Sequence, residues 1–131
     1  MTEQEQQAWV REQYQTATKF LASKGMITES VADTESRYLV PLMTMWKINL
    51  VDKTSVWVIC GDLPTDFAQL PVAKDAREAV RHFSFKWQMQ AENLMKTGDA
   101  EQEKFAQLLI SRAEGLYDLF EKDELWEAQT A

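Results

Sequence analysis

The sequence predicts an α+β domain: an N-terminal helix, a small antiparallel β-meander of two to three strands, then a C-terminal antiparallel helix pair packed on one sheet face. Three observations carry that expectation. Apolar residues recur at helical spacing over 3–24 and again from about 72 to 120. Between those stretches, residues 37–50 alternate with the period of two that marks a strand. No repeat, low-complexity tract or linker divides the chain, so 1–131 reads as a single globular domain.

The elements follow in order. In 3–24, Val10, Tyr14, Ala17 and Leu21 fall at intervals of four, three and four, and Trp9 and Phe20 widen that face. Gly25 then fits a helix C-terminus. A short strand is expected at 26–31 and a polar connection at 32–36. The alternation over 37–50 puts Tyr38, Val40, Leu42, Thr44, Trp46, Ile48 and Leu50 on one face of an extended chain. Leu39, Pro41, Met43, Met45, Lys47 and Asn49 take the other. Pro41 has no N–H for a ladder and marks an edge, a bulge or a bend in that strand. Asp52-Lys53-Thr54 suits a hairpin connection, after which 55–60 returns antiparallel.

Asp62-Leu63-Pro64-Thr65-Asp66 breaks the regular pattern, and Leu70-Pro71 interrupts it again before a long helix begins near Val72. The apolar stripe of that helix is Ala76, Val80, Phe83, Trp87, Ala91 and Leu94, broadened by Ala79 and Phe85. Gly98 and Asp99 read as C-cap and N-cap around a short turn. The last helix, over 100–120, carries Phe105, Leu108, Leu109, Ala113, Leu116, Leu119 and Phe120 on one face. So short a connection makes the two helices an antiparallel hairpin. Leu125-Trp126 is an apolar anchor for the tail, and the last few residues are expected to fray.

Composition narrows the function classes. Hydrophobic residues make up 45% of the 131 and charged residues 27%, a globular rather than a disordered balance. No apolar run reaches transmembrane length, and the acidic, polar start of the chain does not resemble a secretory signal, so no membrane role and a cytoplasmic location are expected. Cys60 is the single cysteine, consistent with a reducing compartment. The net charge is −7 and unevenly spread. Residues 99–131 hold nine acids against three bases, a balance of −6, whereas 74–96 hold five bases against three acids, a balance of +2. An acidic chain repels phosphate backbones, so nucleic acid is not an expected partner.

The acidic turn and the start of the long helix hold the candidate site residues. Asp62 and Asp66 lie four apart just after the strand that carries Trp57, and Arg77, Arg81 and His82 follow on the helix. One carboxylate in an apolar setting and one in water would separate in proton affinity, as acid and base work requires. The plainer reading has Asp62 capping the turn and Asp66 pairing with Arg77 or Arg81. Glu78 and His82, four apart, could join the two aspartates around a metal ion, but one histidine and no ligand-spaced loop is a weak signal, and no metal or cofactor is expected. Cys60 continues the apolar alternation of Val56 and Val58, which makes it a small core residue before a nucleophile. Arg77 and Arg81, with Lys74, could hold a small anion at the helix start, but no glycine-rich loop accompanies them, and salt bridges to the acidic turn or the last helix explain them more simply. Five tryptophans are spread over every element, and any that is exposed would anchor a protein partner.

At Arg37-Tyr38-Leu39-Val40-Pro41, at Trp57 to Asp66 with its Gly-Asp-Leu-Pro-Thr-Asp turn, at Ala76 to Ser84 and at Ala113-Glu114-Gly115-Leu116-Tyr117, the chain resembles a family of small single-domain bacterial proteins described as a domain of unknown function. The resemblance covers nearly the whole chain and implies a bacterial cytosolic protein, with no activity, cofactor or catalytic residue attached. The expected function is a non-enzymatic binding or regulatory module for a protein partner, acting as monomer or homodimer. A small enzyme or ligand-binding domain using Asp62, Asp66 and His82 is the alternative. An immunity-type inhibitor that masks a basic protein is the second alternative.

Overall fold

A computed structural model describes residues 1–127; the expected fraying of the last few residues lies outside these described residues. The fold is α+β, with an N-terminal helix, an antiparallel sheet of five strands and two packed helices. The chain forms two compact units, Met1–Ala76 and Arg77–Ala131. Among the described residues no helix is long and apolar enough to cross a membrane.

In the first unit, α1 (Glu3–Ser23) starts at a capping box. The Thr2 hydroxyl accepts from the Glu5 N–H at 3.1 Å, and the Glu5 carboxylate accepts from the Thr2 N–H at 3.3 Å, so two of the helix's orphan donors are satisfied. It ends in a Schellman turn: Gly25, at φ +79°, donates to the Ala22 carbonyl at 3.0 Å and Met26 donates to that of Leu21 at 2.9 Å. Glycine takes this left-handed conformation without a Cβ clash.

The sheet contains β1 (Thr28–Val31), β2 (Arg37–Leu39), β3 (Met43–Leu50), β4 (Ser55–Gly61) and β5 (Asp66–Gln69), ordered β1-β3-β4-β5. Strand β2 pairs with β3 as well. Because β4 spans one side of β3, β1 and β2 lie end to end along its other side, at residues 48–50 and 43–45 respectively.

Two expectations are corrected here. The meander of two to three strands is five, because β5, four residues long, is too short to show a period, and because 37–50 divides into β2 and β3. The continuous strand over 37–50 is instead a hairpin folded at Val40-Pro41-Leu42, with a cis Val40–Pro41 peptide and a 2.7 Å bond from the Leu42 N–H to the Leu39 carbonyl. Pro41 does mark a bend, and it turns the chain back on itself.

One sheet face, Trp46, Ile48, Leu50, Val56, Val58 and Cys60, packs with Ala17 and Leu21 of α1. Alternation grouped Trp46, Ile48 and Leu50 and, separately, Val56, Val58 and Cys60; Leu42, expected on the face of Trp46, is exposed. The opposite face carries Met43, Met45, Trp57 and Ile59, all buried. Chain reversal at Asp52-Lys53-Thr54 is held by the Asp52 carboxylate, which accepts from the Thr54 N–H at 3.0 Å and its hydroxyl at 2.6 Å. Those two bonds hold the carboxyl below its usual range.

The second unit is built from α2 (Ala76–Met95), α3 (Ala100–Glu121) and the short α4 (Asp123–Glu127). Helix α2 starts at Ala76 rather than near Val72, which belongs to a 3-10 turn, Leu70–Val72, formed at Pro71. The buried Ser84 hydroxyl donates to the Ala113 carbonyl at 2.7 Å, and the Arg77 Nε to that of Phe120 at 2.9 Å. As α2 is traced backward its partners move forward along α3, so the pair is antiparallel as expected. Ala79, Val80, Phe83, Trp87 and Ala91 are buried on α2, and Ala106, Leu109, Ala113 and Leu116 on α3. Phe85, Phe105 and Leu108, expected on the apolar faces, are exposed. Trp126 anchors the tail as predicted, its indole N–H donating to the Leu119 carbonyl at 3.0 Å.

Candidate functional site

The predicted site residues divide between the two units. In the first, Gly61 ends β4 at φ +139°, and a Cβ there would stand 2.5 Å from the Leu42 carbonyl oxygen, so the acidic turn leaves the sheet where no larger residue fits. Asp62 is exposed, and its N–H donates to that same oxygen at 3.1 Å. Asp66, half-buried, opens β5 opposite Ile59, and its Oδ1 accepts from the Phe67 N–H at 2.8 Å. Trp57 is a core residue, 1% exposed, whose indole N–H donates to the Ala73 carbonyl at 3.3 Å.

Cys60 is fully buried, and burial pushes its thiol up to about 12 against a weaker opposing hydrogen bond from Thr65. A thiol held protonated is inert as a nucleophile, in keeping with its reading as a core residue. Among the described residues no group of three or more His, Cys, Asp or Glu is gathered to hold a metal ion.

In the second unit the two arginines have different roles. Arg77 is committed to its own helices: Nε bonds the Phe120 carbonyl, Nη2 pairs with Asp123 at 2.6 Å, and the guanidinium lies 5.3 Å from the Phe120 ring centroid. Placing a cation on the last turn of α3 also suits the negative end of the helix dipole. Arg81, exposed, rests its guanidinium 5.3 Å from the Phe85 ring and 5.9 Å from that of Phe120, and among the described residues no carboxylate pairs with it. Phe85 and Phe120 both adjoin Tyr117, at centroid distances of 6.0 and 5.7 Å. Arg81, Phe85 and Met89 follow at intervals of four and form one exposed row, with Phe85 42% and Met89 68% exposed. His82 is half-buried and meets Phe83 edge to face at 5.5 Å.

A further feature of the first unit escaped the sequence reading. Trp46 sits between Tyr14 of α1, at 5.3 Å edge to face, and Tyr38 of β2, at 4.8 Å. These rings line a groove of about 610 Å³ with Glu3, Gln6, Gln7, Val10 and Arg11 of α1 and with Val31, Asp33 and Val40. The Tyr38 hydroxyl donates to Asp33 Oδ1 across 3.3 Å. Burial, then the charge and hydrogen bond of Asp33, push that phenol up to about 12. The Trp46 indole N–H is buried and finds no acceptor among the described residues. A signal did exist, since Tyr38 and Trp46 share a face in the alternation and Tyr14 lies on the apolar stripe of α1; only the hairpin at Pro41 makes them neighbours.

Fold and site together define a small α+β protein in which one helix covers an antiparallel sheet and a helical hairpin follows. The chain belongs to a family known by its sequence model: residues 3–126 match the one described as Domain of unknown function (DUF4826). No curated protein and no solved structure matches the chain.

Proposed function

We propose that the protein is a non-enzymatic binding module that captures a protein partner through the Arg81–Phe85–Met89 row of α2. The observation that carries this reading is the Arg81 guanidinium, stacked against two phenylalanine rings with no carboxylate paired to it among the described residues. A planar donor fork already positioned by aromatic stacking loses little freedom on meeting a carboxylate. Arginine, aromatic residues and methionine are the types enriched at interface cores, and Phe85 and Met89 supply exposed apolar area beside the charge. The matching partner surface carries an Asp or Glu next to an apolar side chain.

Affinity capture with tagged wild-type protein and an Arg81→Glu variant of equal melting temperature tests this. The partner should be recovered by wild type, partly by Arg81→Lys, and lost with Arg81→Glu. Recovery of the same proteins at the same yield by all three would sink the reading.

A further inference from the structure

We infer that the groove over Trp46 binds a small organic cation, an alkylated ammonium group, held against the Tyr14 and Tyr38 rings with Asp33 as counter-charge. The site lies wholly in the first unit and is independent of the Arg81 row. Its volume of about 610 Å³ falls within the range of about 300–1,000 Å³ usual for small-molecule sites. Three aromatic side chains line it, and the negative face of an aromatic ring attracts an alkylated ammonium better than a neutral group of the same shape. The lining carries two carboxylates, Glu3 and Asp33, against one base, Arg11, a balance of −1. Arg11 forms no ion pair with either acid among the described residues, so neither is neutralised in place.

The second pointer is the Trp46 indole. Its residue is 3% exposed and its N–H finds no acceptor among the described residues, although buried donors are nearly always paired. Because that N–H is closed to solvent, a ligand that carries an oxygen near its ammonium group pairs with it only as the indole turns toward the groove on binding. Choline has both groups in one molecule, and 3,3-dimethylbutan-1-ol keeps its shape and hydroxyl without the charge, so the pair isolates the contribution of the cation.

The experiment is a titration of the full chain with each compound, followed at the assigned Trp46 indole N–H by nitrogen–proton correlation NMR. Choline should shift that resonance saturably, and the neutral isostere should bind at least about fivefold more weakly. Asp33→Asn, an exposed substitution that leaves the core intact, should weaken choline about threefold to tenfold. Equal binding of the isostere would make the groove an apolar pocket and overturn the inference. So would the absence of a saturable Trp46 shift at millimolar choline, or an Asp33→Asn variant that binds as wild type. Tighter binding of a trimethyllysine peptide than of choline would overturn the assignment to a free small molecule.

Discussion

Gly61 and the Leu42 carbonyl are packed so closely that the chain has room for a hydrogen atom and no more. A Cβ on Gly61 would lie 2.5 Å from the Leu42 oxygen and 2.7 Å from the Met43 Cα, both backbone atoms that cannot swing aside, and φ is +139°. Gly61→Ala should therefore lower unfolding free energy by about 2–4 kcal/mol, from backbone strain and overpacking together. Urea denaturation measures it; a loss below about 1 kcal/mol would mean that the hairpin tip relaxes freely.

Ser84 links α2 to α3 through a fully buried hydroxyl 2.7 Å from the Ala113 carbonyl. Ser84→Ala removes one hydrogen bond and should cost about 1 kcal/mol. Ser84→Val adds bulk against a helix backbone and should cost more, about 1–3 kcal/mol. Thermal melts that rank valine above alanine would contradict this packing.

Arg77 and Arg81 should separate cleanly on stability. Arg77→Ala loses the bond to Phe120, the ion pair with Asp123 and the ring contact, for about 1–2 kcal/mol, because the Asp123 end is largely exposed and that pair is discounted. Arg81→Ala should change stability by less than about 0.5 kcal/mol. Equal losses in denaturant titrations would place Arg81 in the fold instead of leaving it for a partner.

Alkaline pH should unfold the protein through two groups. Cys60 and Tyr38 both have folded values raised to about 12, from 9.0 and 10.0. An acid whose folded value is raised contributes stability that is full below its unfolded value and is lost as pH climbs to the folded one. Denaturation midpoints should hold to about pH 9 and fall progressively toward pH 12, with Cys60→Ala flattening the earlier part of the decline. At pH 8 the native thiol should resist iodoacetamide and react once denaturant is added; rapid native labelling would show that Cys60 is reached by solvent.

Much of the scaffold was legible in local pattern. The stripe Val10–Tyr14–Ala17–Leu21, the alternations of Trp46 with Ile48 and of Val56 with Val58 and Cys60, and the caps at Gly25 and Asp99 all depend on spacing within a few residues, which the chain carries with it. The short strand β5 was not legible, because four residues give no period and its existence depends on a neighbouring ladder, and β2 was legible as strand but not as separate from β3.

The candidate sites divide along the same line. The sequence by itself selected Arg77 and Arg81 as a basic edge, since their i, i+4 spacing needs only a helix. Which arginine is committed was decided by tertiary structure, because Phe120 and Asp123 reach Arg77 from more than forty residues away. The groove rests on tertiary structure more fully still. Over an unbroken strand, Tyr38 and Trp46 would stand about 27 Å apart. Folded back at Pro41, their rings lie 4.8 Å apart, and Tyr14 closes the cluster from α1. Alternation fixes which face a side chain takes, but a reversal of direction fixes which side chains meet, and that depends on pairing between strands.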